Sequence, residues 1–146
     1  MESAYIFVVF IGAAILVNSF SYKTRIKPSG LLPPGYIIGL VWIFLIACMA
    51  YAETLVLQNT KMGSSTIAYY IPGLFIYCIL YPFYTGMYKN KTNRNIVNIA
   101  NIGAVLLSSW VAYSVYDFSH LAGYLIGLTA VWSLYATIAT LYTDTI

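Results

Sequence analysis

The chain has 146 residues, 61% of them hydrophobic and 8% charged, with a net charge of +3. A soluble domain carries about 25% charged residues, so lipid rather than water is the solvent that this composition fits. Nucleic-acid binding is excluded as a reading, because the seven basic residues are few and flank apolar segments instead of forming a basic face.

Five apolar segments cover residues 4–20, 34–57, 66–87, 96–116 and 118–142. At about 1.5 Å of rise per residue each can cross a hydrocarbon core of about 30 Å, the first only just. The runs are near-continuous and lack the two-residue alternation of a barrel strand, and backbone groups in lipid must bond internally. The expectation is an all-α integral membrane protein, a five-helix transmembrane bundle forming a single domain over residues 1–146. Charge orients it. Lys23, Arg25 and Lys27 fall in the first loop, and Lys89, Lys91 and Arg94 fall in the third. Short loops rich in Lys and Arg stay cytoplasmic. Five spans put both loops on the side of the C-terminus, whereas four or six would scatter them. The N-terminus is then outside and the C-terminus cytoplasmic. Lys61 lies on the outer side, with Glu2, Asp117 and His120. The opening Met-Glu-Ser lacks a basic n-region and a small-x-small cleavage site, so the first segment reads as a retained helix.

In chain order, the first helix carries Gly12, Ala13 and Ala14, which permit close helix contact. The loop over residues 21–33 is basic, then partly apolar at Leu31 and Leu32, and should fold back on the bundle mouth. Pro33-Pro34 marks the start of the second helix, since proline is favoured in a first turn and cannot continue an earlier helix. Gly35-x-x-x-Gly39 and, in the fifth helix, Gly123-x-x-x-Gly127 are small-residue faces suited to packing within the bundle or to a homodimer seam. Glu53 is the one carboxylate clearly within a span. An acidic residue at a helix centre costs about 2.5–3.5 kcal/mol on insertion scales. Glu53 sits about one turn from the end of its segment, within reach of the interface, so an interfacial and a buried functional role both stand.

The third helix contains Pro72 and Pro82, which should kink it around a cavity. Tyr77 is mid-span and needs a hydrogen-bond partner, which makes it a pocket candidate. Asn95, Asn98 and Asn101 form a polar stripe on the fourth helix, suited to interhelical bonding or to lining a wet pocket. Asp117-Phe118-Ser119-His120 is a tight turn, so the fourth and fifth helices should be antiparallel neighbours, with His120 at the surface. Cys48 and Cys78 read as small packing residues, and with one histidine they offer no metal-ligand spacing. Asn90-Lys91-Thr92 matches a glycosylation acceptor but lies on the expected cytoplasmic side. No Gly-rich phosphate loop, Ser-His-Asp set or carboxylate dyad is present, so no catalytic residues are assigned.

The segment Lys27-Pro28-Ser29 … Pro33-Pro34-Gly35-Tyr36-Ile37-Ile38-Gly39-Leu40-Val41-Trp42 resembles the signature of the translocator protein family, also called tryptophan-rich sensory protein, TspO/MBR or peripheral benzodiazepine receptor. Met49-Ala50-Tyr51-Ala52, Pro82-Phe83-Tyr84-Thr85-Gly86 and Trp132-Ser133-Leu134-Tyr135-Ala136-Thr137 are similar to its later motifs, in order. Gly30, Tyr36 and Leu40 depart from it where the family has two tryptophans and a proline. Gly73, Tyr77 and Thr140 stand where it has polar amides.

The resemblance implies a membrane receptor or sensor whose interhelical pocket, capped by the first loop, takes a porphyrin or other tetrapyrrole, a haem, or a sterol. No cofactor is required. Matching positions make Ile38, Gly39, Trp42, Trp132, Tyr135 and Ala136 ligand-binding candidates. Trp110 joins them from its own place on the fourth helix, and Tyr77 from mid-span on the third. Arg25, Lys27, Pro28, Pro33 and Pro34 form the lid, where Arg25 or Lys27 could meet ligand carboxylates. Leu80-x3-Tyr84-x4-Lys89 and Val17-x4-Tyr22-x2-Arg25 fit a loose cholesterol pattern. The expected partners are a hydrophobic small molecule and membrane lipid. Enzymatic activity is not expected, light-dependent porphyrin breakdown being implied by the resemblance alone. The family's membranes are the mitochondrial outer membrane in eukaryotes and the cell membrane in bacteria. Two other readings remain: a small oligomeric transporter subunit using Glu53, and a structural membrane protein with a degenerate pocket.

Overall fold

The computed structural model describes residues 2–21, 31, 33, 35–59, 66–86 and 93–142. The described residues are mostly helical, without strands. Helix α1 spans Glu2–Ser21 and α2 spans Gly35–Asn59. A 3-10 turn at Ile67–Tyr69 leads into α3 (Tyr70–Ile79), followed by the single-turn α4 (Tyr81–Tyr84), then α5 (Arg94–Tyr116) and α6 (His120–Leu141). Among the described residues three segments, Tyr36–Gln58, Arg94–Tyr116 and His120–Leu141, are long and apolar enough to cross a membrane.

The third apolar segment is therefore not one continuous helix. It breaks at Leu80, and the prolines explain how. Pro72 falls in the first turn of α3 and Pro82 in the first turn of α4. A first-turn residue has no intrahelical N–H bond to lose, so each proline marks a restart. Gly86, with φ of 79°, then closes the segment in the left-handed conformation that glycine adopts without a Cβ penalty.

The two long C-terminal helices are set by side-chain caps. The Asn93 side chain accepts from the Asn95 N–H at 2.9 Å at the head of α5, and Ser119 accepts from the Ala122 N–H at 3.3 Å at the head of α6. Such a cap contributes about 1 kcal/mol. The turn between them brings His120 onto Tyr116, ring centroids 4.3 Å apart, with His120 exposed. Arg94 donates to the carbonyl of Leu141 at the opposite end, so α5 and α6 run antiparallel along their whole length. Gly123 is required in this seam, because a Cβ there would lie 2.8 Å from Tyr116 Cδ2 and 3.1 Å from its Cα.

Packing follows the logic of lipid rather than water. Large apolar side chains such as Phe44, Ile99, Leu106, Tyr113, Val131 and Leu134 are exposed, while Ala50, Ala52, Ala100, Ala104, Ser108, Ala122 and Thr129 are buried. Lipid tails solvate a leucine as well as a protein interior does, so helices associate through close packing of small residues. On α5 the buried positions Val97, Ala100, Asn101, Ala104, Ser108, Val111 and Val115 recur every three or four residues, the period of one helix face. The main apolar cluster joins Phe10 and Ala14 of α1, Met49 and Val56 of α2, Ile71 and Leu74 of α3, Val111 and Val115 of α5, and Ile126 of α6. Within it Phe10 stacks on Phe75 at 4.2 Å.

Candidate functional site

Beside the break between α3 and α4 lies a cleft of about 650 Å³ between α3 and α5. Tyr69, Tyr70, Gly73, Tyr77, Leu107 and Trp110 contribute to its walls. It opens sideways, with Tyr69, Ile76 and Trp110 all exposed on its rim. Trp110 lies against Tyr70, centroids 4.6 Å apart and tilted by 32°. Gly73 forms a flat stretch of wall, where an added Cβ would meet nothing within 4 Å.

Two hydroxyls of the cleft bond to backbone carbonyls. Tyr77 Oη donates to the Ala100 carbonyl at 2.8 Å, and Tyr84 Oη donates to the Tyr77 carbonyl at 3.2 Å. The first bond gives mid-span Tyr77 the partner that its position demands, and it ties α3 to α5 beside Gly103. The rest of the lining is mostly ring faces and aliphatic side chains, with the polar tips of Tyr69, Tyr70 and Trp110 among them, the chemistry of a site for a flat, largely apolar molecule.

Below the cleft a polar chain fixes the helices. Tyr81 Oη donates to Asn101 Oδ1 at 2.7 Å, and Asn101 Nδ2 donates to Thr140 Oγ1 at 3.4 Å. Asn101 is buried, so one amide joins α4, α5 and α6. Of the asparagine stripe, Asn101 is thus the interhelical link. Asn95 is exposed near the cap, and Asn98 keeps a buried Oδ1 without a partner among the described residues.

The other candidate residues lie elsewhere. Trp42 is half-buried and lines a crevice of about 50 Å³ with Ala14, Ile46, Cys78, Ile79, Tyr81 and Pro82. Ile38 and Gly39 lie closer to the start of α2 and are half-buried, with open space at the Gly39 Cβ position. Trp132 and Tyr135 form a ring pair on α6, centroids 5.4 Å apart, with half-buried Ala136 beside them. Tyr135 Oη donates to the carbonyl of Leu31, which anchors the end of the first loop to that helix. Pro33 is half-buried, whereas Arg25, Lys27, Pro28 and Pro34 lie outside the described residues. Tyr77 and Trp110 thus share one cleft, Trp132 and Tyr135 meet at the loop, and Trp42 faces a separate crevice. Tyr69, Tyr70 and Gly73 were not among the sequence candidates. Their signal was the density of tyrosine around a glycine at the start of the third segment.

Glu53 is buried, 4% exposed, with its side chain turned into the bundle. It points inward because it falls on the same helix face as Ile46 and Met49, seven and four residues earlier.

A search of curated proteins finds no match to the chain. The model of one family, TspO/MBR, matches residues 4–145. With the three long apolar helices, this match makes the protein an integral membrane protein. By a match over essentially its whole length, the chain belongs to the TspO/MBR family.

Proposed function

We propose that the protein is a membrane receptor or sensor for a flat, hydrophobic ligand, a porphyrin or other tetrapyrrole or a sterol. The observation that carries this reading is the aromatic cleft that unites Tyr77 and Trp110. Its volume of about 650 Å³ lies within the usual range of about 300–1,000 Å³ for small-molecule sites. Family membership supports it. The Leu31–Tyr135 bond supports a role for the first loop as a lid over the Trp132–Tyr135 pair, where Arg25 or Lys27 would meet ligand carboxylates. In this reading α1 and the α3–α4 segment also cross the membrane, giving five spans in one domain, with the N-terminus outside and the C-terminus cytoplasmic. The membrane is the mitochondrial outer membrane in a eukaryote or the cell membrane in a bacterium. Open space at Gly39 and Gly127 leaves those faces available for a homodimer.

The experiment is a protoporphyrin IX titration of the purified protein in detergent, read by tryptophan fluorescence. Three tryptophans make the assignment direct. Saturable quenching that is largely lost in Trp110→Phe and kept in Trp42→Phe places the ligand in the cleft. Loss in Trp42→Phe instead moves it to the crevice between α1, α2 and α3. Quenching that never saturates, equal to that of empty micelles with a control protein, removes tetrapyrroles and leaves sterols or a structural role.

A second reading, a small oligomeric transporter subunit, draws support from the burial of Glu53. Proton-coupled uptake in vesicles that survived Glu53→Gln would exclude that residue from the coupling.

A further inference from the structure

The cleft between α3 and α5 is not uniform along its length. Its lining on α3 and α4 runs from Tyr69 to Tyr84, about 22 Å of helical rise. Toward Tyr84 the hydroxyls are occupied: Tyr77 donates to the Ala100 carbonyl at 2.8 Å, and Tyr84 donates to the Tyr77 carbonyl at 3.2 Å. Toward Tyr69 the polar tips are left over. The hydroxyls of Tyr69 and Tyr70 and the indole N–H of Trp110 make no hydrogen bond among the described residues. Between the two ends the wall is Gly73, Leu74, Ile76 and Leu80, with Leu107 opposite. The cleft therefore has a head end that offers donors and a tail end that offers hydrocarbon.

The walls narrow the class of occupant. No lining residue is Lys, Arg, His, Asp or Glu, so a charged group on a ligand finds no partner there. The rings of Tyr70 and Trp110, centroids 4.6 Å apart, mark the head end. Their faces are electron-rich and carry the negative side of the ring quadrupole, so they stack best on a planar ring that is electron-poor. Gly73 gives such a ring a flat stretch of backbone to lie against, since an added Cβ there would meet nothing within 4 Å. The rim at Tyr69, Ile76 and Trp110 is exposed along one side, so a long tail can stay in contact with lipid and the occupant can enter from the bilayer. A dicarboxylic tetrapyrrole would have to take its counter-charges from outside these walls. A sterol would bring saturated rings to the aromatic faces and a single hydroxyl to the donors of Tyr69, Tyr70 and Trp110.

We propose that the cleft binds an isoprenoid quinone. The head is planar, uncharged and electron-poor, and its ring carbonyls accept from the tips of Tyr69, Tyr70 or Trp110. The isoprenoid tail runs past Ile76 and Leu80 toward Tyr84, alongside the lipid chains. This inference rests on the reading of the cleft as the ligand site and gives that site a different chemical class of ligand. It concerns binding alone, held by stacking, hydrogen bonds to the head and apolar contact with the tail.

The test is equilibrium retention of a ubiquinone with a two-unit isoprenoid tail by the intact protein, immobilised in detergent, with the bound quinone extracted and measured by absorbance. Protoporphyrin IX and cholesterol are titrated in parallel. Quinone retention should saturate. Its affinity should fall about tenfold in Gly73→Leu, whose side chain fills the flat wall, and about threefold or more in the double variant Tyr69→Phe/Tyr70→Phe, which keeps the rings and removes the hydroxyls. Thermal melting shows that each variant is folded, and the double tyrosine variant carries the test if Gly73→Leu is not. Quinone retention that never saturates, while protoporphyrin or cholesterol does, overturns the quinone and leaves the receptor reading standing. Failure of all three ligands removes both readings. Saturable quinone retention that is unchanged in the folded variants also overturns the proposal, because the quinone would then sit outside the cleft.

Discussion

The α3–α5 cleft and the inner face of α2 each hold one candidate tryptophan, yet they are opposite environments. The cleft is wide, opens sideways and is walled by Tyr69, Tyr70, Tyr77 and Trp110. The α2 face is packed: Met49, Ala50 and Val56 are fully buried, and Trp42 keeps only a crevice of about 50 Å³. The segment that resembles the family signature runs through Trp42, whereas the wider open space lies at Trp110. Motif residues can be retained because they hold helices together. Open space depends on where helices fail to meet, and here they leave it along Gly73 and up to Leu80.

The comparison can be broken most decisively at Trp110. Trp110→Ala removes one wall of the cleft and its contact with Tyr70, and should weaken porphyrin binding by about tenfold or more, equivalent to about 1.4 kcal/mol or more. Equal weakening by Trp42→Ala, in an equilibrium titration, would erase the distinction between the two regions. Next in size is Gly73→Leu. Its Cβ meets nothing, so folding should be unaffected while the new side chain fills the cleft, lowering affinity by roughly fivefold to tenfold. Unchanged affinity with unchanged melting would show that the ligand lies elsewhere.

Asn101→Leu sharpens the contrast from below. It abolishes the link from Tyr81 to Thr140 and should cost about 1 kcal/mol of stability, with little effect on ligand affinity. Denaturation in mixed micelles measures the first and the titration the second. The smallest effect belongs to Tyr135→Phe, which removes only the bond to Leu31. A loss below about threefold in affinity is expected if the loop end merely steadies the bundle mouth. A loss as large as that of Trp110→Ala would transfer the site to α6 and its lid.

Much of this architecture was legible beforehand. The long apolar runs near residues 34–57, 96–116 and 118–142 correspond to α2, α5 and α6, because a chain in lipid must close its own backbone hydrogen bonds. Asp117–His120 read as the tight turn of an antiparallel pair, and the pair is antiparallel, with His120 itself already the first residue of α6. Tyr77 needed a partner and has one in Ala100. Other features were not legible. The third segment looked like one kinked helix, but its prolines occupy first turns and so punctuate it instead. Glu53 lay near enough to its span end to reach the interface, yet the helix face that it shares with Ile46 and Met49 turned it inward.

The sequence by itself therefore determined the solvent, the helical class and the family, because composition and backbone satisfaction depend only on the chain and its medium. It could not determine which face of each helix turns inward. The helices are hydrophobic on every side, and the difference between a lipid-facing leucine and a buried one is packing, not polarity. That choice belonged to the tertiary structure. Small residues such as Ala104, Ser108 and Gly123 let backbones approach, and the remaining gaps became the cleft at Trp110 and the sealed interior around Glu53.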